Sequence, residues 1–341
     1  MADKKEKLFY QQKNAYDLLS EEELKACYDY CEGYKKFLDN SKTERMSVKY
    51  SIALAEKEGF KPYVPGMDFK SGDKLYFNSR GKALFLAVIG TKPLSEGINI
   101  AAAHIDSPRL DLKPVPLYED GEMAFFKTHY YGGIKKYQWV AIPLELYGTV
   151  ALKDGRTVEV AIGDRPEDPQ LVITDLLPHL AADQMKKTLA EAFTGEGLNI
   201  LIGSRPDKET EGSDRVKMTV MSILNEKYGI VEEDFLSAEL EAVPAYNARD
   251  LGLDRSMIGA YGHDDRSCAY AELAAILEMK TPEKTAVCVL ADKEEIGSEG
   301  VTGMRSRSFE RFIGALCEKQ GVKLEDCFAK SFCLSADVCN A

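Results

Sequence analysis

Basic residues are scarce relative to acidic ones in this 341-residue chain, which has 44 Lys and Arg against 56 Asp and Glu and a net charge of −12. Because nucleic acids and anionic membranes are bound through clustered Lys and Arg, this balance argues against both as partners. No apolar run approaches the roughly 18 residues needed to span a bilayer, and the N-terminus lacks the apolar core of a secretory signal. We therefore expect a cytoplasmic protein.

Motifs of several other function classes are also missing. The eight cysteines include no Cys-x-x-Cys pair, so a structural zinc finger is not expected. We interpret them as buried thiols in a reducing compartment, not as a disulfide framework. The chain has no G-x-x-x-x-G-K-[ST] loop, no G-x-G-x-x-G between a strand and a helix, and no G-x-S-x-G. These absences argue against nucleotide binding and against a serine hydrolase.

The length favours two domains, and the first part of the chain reads as α/β. A capping box, Ser20-x-x-Glu23, predicts a helix that runs to about Leu38. A second helix begins near Thr43 and ends near Gly59. Further along, apolar runs predict a β-hairpin and a third strand, at 75–77, 83–89 and 98–103.

The pattern of apolar and turn-forming residues changes between residues 110 and 244. Gly, Pro and Asp separate short strand-like runs there, including 140–146, 149–152, 157–162 and 170–173. In the same region, 183–195 reads as a helix or a mobile loop, and 206–215 reads as a solvated loop. We therefore predict an inserted, mainly β domain over 110–245.

The last hundred residues return to an α/β pattern. Helices and strands are expected to alternate there, over 266–280, 286–291, 307–319 and 331–335. Such alternation predicts parallel strands, and open α/β sheets place their sites at the carboxyl ends of those strands. Residues 1–109 and 246–341 would then form the two parts of one α/β domain.

Acidic or imidazole side chains follow the apolar runs at four places, namely at His104, Asp264, the pair Glu294 and Glu295, and Asp337. An imidazole combined with carboxylates suits zinc, and a carboxylate can bridge two metal ions. Adjacent glutamates such as Glu294 and Glu295 can have different roles, because one can bind a metal ion while the other accepts a proton. Asp106, two residues beyond His104, has the spacing of a carboxylate that orients a ligand imidazole.

Each of these signals also has an ordinary explanation. A His-x-Asp sequence often makes a plain hydrogen-bonded pair, and the acids at 264–265 would suit a helix N-terminus. Asp337 would serve as an N-cap, and a Glu pair is common on the surface. The combination of all four favours a site.

Several stretches resemble the M18 metallopeptidases, the aspartyl aminopeptidase family, in chain order and over essentially all of 1–341. They are AAAHIDSPRL (101–110), YGHDDRSCAY (261–270), LADKEEIGSEG (290–300) and LSADV (334–338). Similar but lesser matches are TH-YYGG with KYQW (128–139), LLPHLAADQ (176–184) and VPAYNARDLGLDRSMIGAYG (243–262). The resemblance implies a zinc-peptidase α/β/α sandwich with a mixed sheet, plus the inserted β-rich domain, which serves oligomerisation.

The resemblance also implies two zinc ions per site, with cobalt or manganese as other options, and assembly into a dodecamer. By motif, His104 and Asp337 would bind one metal, Asp264 would bridge, and Glu295 would bind the second. Glu294 would be the general base that takes a proton from the attacking water, with Asp106 beside it. His179 is the candidate for a histidine that reaches a neighbouring subunit's site, although a surface histidine would look the same.

One family feature has no counterpart in the printed sequence. The family has a further histidine ligand for the second metal, many tens of residues beyond Asp337, whereas the chain ends at Ala341. We expect a fragment of a longer product, with the C-terminal end of the peptidase domain missing. The second metal would then bind weakly and activity would be poor or absent.

The leading hypothesis is a metal-dependent aminopeptidase that hydrolyses the N-terminal peptide bond of peptides. An acidic N-terminal residue would need a placed cation, for which the candidates are Arg109, Lys293 or a residue beyond 341. Two alternatives stay open. One is a related dinuclear deacylase or dipeptidase, and the other is a catalytically impaired assembly or peptide-binding subunit.

Overall fold

The computed structural model describes residues 8–339, so the first seven and last two residues of the expected domains lie outside it. Its longer helices are α1 (Glu21–Asp39), α2 (Glu44–Lys57), α3 (Arg215–Tyr228), α4 (His263–Glu278), α5 (Ser308–Lys319) and α6 (Leu324–Ala329). Its strands are β1 (Lys61–Pro62), β2 (Lys74–Ser79), β3 (Ala83–Val88), β4 (Asn99–His104), β5 (Arg109–Asp120), β6 (Met123–Tyr131), β7 (Pro143–Ala151), β8 (Thr157–Ile162), β9 (Leu171–Val172), β10 (Ile200–Gly203), β11 (Ala238–Pro244), β12 (Arg249–Leu251), β13 (Met257–Gly259), β14 (Ala286–Ala291) and β15 (Phe332–Ser335).

The first sheet has six strands in the order β1-β2-β3-β14-β4-β15. β14 runs parallel to β4 and antiparallel to β3, and β15 runs parallel to β4. The sheet is therefore mixed, with three neighbouring parallel strands whose carboxyl ends share one edge. Every residue of β14 is buried, as expected for a central strand covered on both faces.

Helices cover both faces of this sheet, which confirms the expected α/β/α sandwich. Alternate residues of a strand point to opposite faces. Leu84 and Leu86 of β3 pack with α1, α2 and α4, whereas Phe85 between them packs with α5 and α6. Ser20 accepts a hydrogen bond from the Glu23 amide in a complete capping box, so the predicted start of α1 is confirmed.

The second sheet is antiparallel throughout and has seven strands in the order β11-β5-β6-β10-β9-β7-β8. β11 also pairs with β7, so the sheet closes on itself around its own apolar core. α3 adds Val216, Val220 and Leu224 to that core. The sequence prediction missed α3, and it divided β7 into two runs, 140–146 and 149–152.

Other local expectations are corrected in part. Residues 183–195 contain a short 3-10 segment and a one-turn helix, Leu189–Ala192, whereas 206–214 has no regular structure, as expected. Three cysteines are buried, but Cys27, Cys333 and Cys339 are exposed, so the prediction of buried thiols is only partly right. Between residues 8 and 339, no helix is both long and apolar enough to cross a membrane.

Buried ion pairs join the helices that cover the first sheet to the second sheet. Lys42, between α1 and α2, lies 2.6 Å from the carboxylate of Glu145 on β7, and both side chains are almost fully buried. Nη1 of Arg109, at the start of β5, lies 3.3 Å from the carboxylate of Glu44 on α2. These charges are shielded from water, so each depends on its partner for compensation.

Candidate metal centre

The three parallel strands of the first sheet bring their carboxyl ends together. Ala291, at the end of β14, is the register partner of His104 at the end of β4. Ser335, at the end of β15, pairs with Ala102 on the other side of β4. The residues that follow these ends, Glu294 with Glu295 and Asp337, therefore arrive at the same edge of the sheet as His104.

His104 is buried and points one ring nitrogen into the protein and the other toward carboxylates. Its Nδ1 lies 2.9 Å from the backbone carbonyl of Asp106, and because a carbonyl only accepts, Nδ1 donates. Its Nε2 lies 3.2 Å from Oδ1 of Asp264 and 3.8 Å from Oε2 of Glu294. The ring is thus oriented so that Nε2 faces the carboxylates of Asp264 and Glu294.

Asp106 is fully buried and connects the ends of β4 and β14. The backbone amides of Glu294 and Glu295 each donate to its carboxylate over 3.2 Å. A left-handed conformation at Lys293 turns the chain just before these amides. The predicted link between Asp106 and His104 is present, since Oδ1 lies 3.3 Å from Nδ1.

The Asp264–Asp265 pair lies at the distorted first turn of α4. The two residues have non-helical backbone angles, and the peptide bond between them is cis. Ser107 donates to the Asp264 carbonyl over 2.7 Å. The next residue, Arg266, is 1% exposed and donates to the Ile105 carbonyl over 3.2 Å. These contacts fix the start of α4 against the segment that follows His104.

Two groups of possible metal ligands result, each with its ligand atoms within 4.8 Å of one another. One group is His104, Asp264 and Glu295, and the other is His104, Asp265 and Asp337. Asp264, the expected bridge between two metals, lies 3.2 Å from Nε2 of His104 and belongs to the Glu295 group. Asp265 takes the place beside Asp337, and sequence reasoning did not select it, although it stands in the same GHDDR motif.

The charges of these groups favour a cation. Burial, and next the charge of Asp264, raises the pKa of Glu295 to about 7, and burial raises the pKa of Asp265. Burial alone would lower the pKa of His104. Hydrogen bonds to Asp106 and the negative charges of Asp106 and Glu294 have the larger effect, and they raise this pKa to about 9. A metal ion at Nε2 would replace a proton there and relieve the repulsion among the carboxylates.

The chemistry of the donors fits zinc. Each group combines one imidazole nitrogen with two carboxylate oxygens, a set that zinc accepts and that manganese and cobalt share. Asp264 and Glu294 are about half exposed at their side chains, so the edge is open to water and to a substrate.

A cleft of about 1440 Å³ opens beside Asp264. Its walls include residues of β7 and β11 from the second sheet, of the two-stranded β12–β13 sheet and of the first turn of α4, and they combine polar and apolar side chains. Three cations of the lining, Lys135, Arg165 and Arg249, make no ion pair within 4 Å among residues 8–339. The volume exceeds that of a typical small-ligand pocket, so the cleft has room for several residues of a peptide.

Other residues singled out in the sequence lie away from the candidate metal centre. His179 is on an exposed turn after β9 and belongs to neither ligand group. Arg109 is buried by its own partners, Glu44, Asp111 and Glu241, which leaves it unavailable to a substrate. Nζ of Lys293 lies 3.9 Å from Asp292 and is partly exposed.

Comparison with known proteins places this chain among metallopeptidases. The family profile of Aminopeptidase I zinc metalloprotease (M18) matches residues 37–341. A probable M18 family aminopeptidase 1 of Clostridium acetobutylicum is 49% identical over 339 residues, covering 97% of this chain and 73% of the relative. A Thermotoga maritima relative of the same description is 45% identical over 340 residues, covering 97% of this chain and 73% of the relative.

Solved structures give the same result for the fold. The crystal structure of an M18 family aminopeptidase from Thermotoga maritima has a TM-score of 0.92 and 43% identity, covering 98% of this chain and 73% of that one. The mApe1 dodecamer of S. cerevisiae, at 21% identity and a TM-score of 0.72, shares the fold over 91% of this chain and 72% of that one. With the family profile matching most of its length, this chain belongs to the M18 family of zinc metallopeptidases and is a metal-dependent aminopeptidase by family.

Proposed function

We propose that the candidate metal centre removes the N-terminal residue from peptides with the help of two zinc ions. The observation that carries this proposal is the convergence of His104, Asp264, Glu295 and Asp337 at the carboxyl edge of the sheet, in two overlapping ligand groups. His104 and Asp337 would hold one ion and Glu295 the other, and Asp264 would serve both through its two carboxylate oxygens. Asp265 is a further donor beside Asp337.

The zinc ions, when bound, would supply Lewis-acid stabilisation for the negative charge that develops on the peptide carbonyl oxygen. Glu294 would act as the general base. Its carboxylate is half exposed and lies 3.8 Å from Nε2 of His104, beside the place where the ions would bind. It would accept a proton from the attacking water and return it to the leaving amine. Asp106 would keep His104 and the Glu294–Glu295 turn in position.

The cleft beside Asp264 supports a peptide substrate with a negatively charged N-terminal side chain. Lys135, Arg165 and Arg249 offer positive charge there without an ionic partner in the described part of the chain. A free carboxylate of the substrate would gain a charge-assisted hydrogen bond from any of them. These residues replace Arg109 as candidates for acid recognition, because Arg109 is buried by three acids.

We also propose a homo-oligomer, a dodecamer as in the S. cerevisiae relative, in the cytoplasm. The domain over 110–245, between 1–109 and 246–341, would mediate assembly. The turn that carries His179 exposes a run of large apolar side chains, namely Leu176, Leu177 and Leu180. Such a surface is unusual without a partner, and His179 would reach a neighbouring subunit's site from it.

A comparison of substrates tests this function. The zinc-loaded chain is given peptides with N-terminal Asp, Leu or Lys, the same peptides with an acetylated N-terminus, and N-acyl amino acids. We expect release of the N-terminal residue from free-amine peptides alone, fastest for Asp. Preferred cleavage of the N-acyl amino acids would instead indicate a deacylase. Peptide binding without turnover by a zinc-loaded chain would indicate a peptide-binding subunit.

A further inference from the structure

A tyrosine of the second sheet contacts the candidate metal centre of the first. Tyr131 is the last residue of β6, and its hydroxyl donates to Oδ2 of Asp106 over 2.7 Å. The same carboxylate holds His104 and the amides of Glu294 and Glu295. Of the groups that donate to this carboxylate, the Tyr131 hydroxyl is the one supplied by the other sheet.

The next residue contacts a proposed metal ligand from the same side. Gly132 has a left-handed backbone, with φ of +71°. A methyl group at this position would lie 3.0 Å from Oε2 of Glu295 and 3.2 Å from its Cβ. The absence of a side chain at Gly132 therefore lets β6 end directly against Glu295.

A buried cation fixes the ring of Tyr131. The guanidinium carbon of Arg109 lies 3.8 Å from the ring centroid, a favourable cation–π distance. Arg109 is in turn held by the carboxylates of Glu44, Asp111 and Glu241. The hydroxyl of Tyr131 thus points at Asp106 from a ring that has little freedom to move.

We propose that Tyr131, together with Gly132, is a positioning element for the candidate metal centre. Tyr131 sets the orientation of Asp106, and through it the ring of His104 and the turn that presents Glu295. The inference rests on the proposed function, because it takes His104 and Glu295 as metal ligands. Outer hydrogen-bond partners of ligands typically change metal affinity or activity about 10- to 100-fold when they are removed.

A purely structural role is the alternative, and the chain offers a matched control for it. Tyr76 is 7% exposed, as is Tyr131, and its hydroxyl also donates to a carboxylate, that of Glu56, over 2.8 Å. This pair lies between β2 and α2, with no contact to the ligand groups. Tyr76→Phe removes a similar tyrosine–carboxylate bond without disturbing the metal ligands. Because Glu56 is exposed and Asp106 is fully buried, Tyr131→Phe should lower stability more, so the comparison is made on metal binding.

The first test measures metal binding. Zinc affinity is determined by competition with a chelator, and the visible absorption of bound cobalt reports the geometry of its ligands. Because Tyr131 acts through Asp106, we expect Tyr131→Phe to weaken zinc binding by up to about 10-fold, the lower end of the range for direct partners of ligands, and to alter the cobalt spectrum, with Tyr76→Phe unchanged in both. Equal zinc affinities and identical cobalt spectra for the two variants would overturn the inference.

The second test needs neither bound metal nor hydrolysis, so it separates this inference from the proposed function. Nitrogen-detected NMR of the four histidine rings follows His104, assigned by its loss in His104→Gln. We expect Tyr131→Phe to shift the His104 signals in the metal-free chain and Tyr76→Phe to leave them in place. Unshifted His104 signals in Tyr131→Phe would contradict the role of the hydroxyl.

Gly132→Ala provides a second route if Tyr131→Phe folds poorly. Its control is Gly81→Ala in the β2–β3 turn, where φ is +72° and the nearest side-chain atom is Nη1 of Arg45 at 3.2 Å. Both variants strain the backbone alike. We expect only Gly132→Ala to weaken zinc binding, because only its methyl group displaces Glu295. Equal zinc affinity in the two alanine variants would refute the positioning role of Gly132.

Discussion

The carboxylate of Asp106 lies 3.3 Å from Nδ1 of His104, and Asp264 lies 3.2 Å from Nε2 of the same ring. A negative charge beside Nδ1 makes the imidazole a stronger ligand at Nε2, because it stabilises the proton that Nδ1 keeps. The Asp106 carboxylate also accepts the amides of Glu294 and Glu295. One buried acid therefore organises both strand ends.

Asp106→Asn should weaken zinc binding about 10- to 100-fold. The amide has one acceptor oxygen for donors that arrive on two, and its NH₂ group would face one of them. The free energy of unfolding should fall by about 1–3 kcal/mol. Chelator competition and denaturant titration measure the two effects. Asp68→Asn, at a side chain that is 94% exposed, is the control, and zinc affinity equal to that control would contradict the role of Asp106.

Glu294→Gln separates the proposed base from the proposed ligand beside it. We expect the rate of peptide hydrolysis to fall about 10²- to 10⁴-fold while the zinc content stays unchanged, because the amide cannot accept the proton. Glu299→Gln, a substitution at an exposed acid paired with Arg305, should leave the rate as it was. Loss of zinc from Glu294→Gln would instead make Glu294 a ligand.

The buried pair of Lys42 and Glu145 should be strongly coupled. Lys42→Met leaves the Glu145 carboxylate buried without its cation, so the free energy of unfolding should fall by about 3–5 kcal/mol. The double variant Lys42→Met, Glu145→Gln removes both charges and should recover much of that loss. A thermodynamic cycle of denaturant unfolding measures the coupling. Additive single effects would show that the pair does not join the helices over the first sheet to the second sheet energetically.

Glu272 on α4 should make stability depend on pH. Its carboxylate oxygens are buried without a hydrogen-bond partner, and burial, with the charge of Asp265, raises its pKa from 4.5 to about 8. The thiols of Cys268, Cys288 and Cys333 face it from α4, β14 and β15. No ion pair to Glu272 exists among residues 8–339.

The direction of the pH effect on stability follows from the protonation of Glu272 in the folded and the unfolded chain. Above pH 4.5 the unfolded chain ionises this group while the folded chain keeps it protonated, so stability falls as pH rises toward 8 and then levels off. Glu272→Gln cannot ionise. Its stability relative to the unaltered chain should rise by roughly 3 kcal/mol between pH 4.5 and 8, measured by denaturant unfolding. A difference that does not vary with pH would contradict this.

The sequence was sufficient to predict those parts of the site that depend on local pattern. Apolar runs predict β4 and β14, and the charged residues after them predict which side chains reach the sheet edge. The His104–Asp106 contact is likewise local, since one residue lies between the two. The fold class and the family were also predictable, because motifs with defined spacing recur along the whole chain.

Other features depend on long-range packing, which the sequence alone did not reveal. Asp265 reaches Asp337 because the first turn of α4 departs from helical angles, and no spacing rule signals that departure. In the sequence, nothing shows that Arg109 is paired. Its buried partners, Glu241 of β11 and Glu44 of α2, are distant along the chain. Tyr131 lies 25 residues from the Asp106 carboxylate that it contacts. α3 was missed because exposed apolar residues, Met218 and Ile223, obscure the helical spacing of its buried Val216, Val220 and Leu224.

The most direct test of the candidate metal centre is the zinc affinity of His104→Ala, measured by chelator competition beside the unaltered chain. His129, which is exposed and outside both ligand groups, provides the control His129→Ala. Because the free nitrogen of His104, Nε2, lies 3.2 Å from Asp264 and can bind one ion, we expect its loss to weaken zinc binding at that site by more than about 100-fold, with His129→Ala unchanged. Zinc bound by His104→Ala with the stoichiometry and affinity of the unaltered chain would contradict the proposed centre.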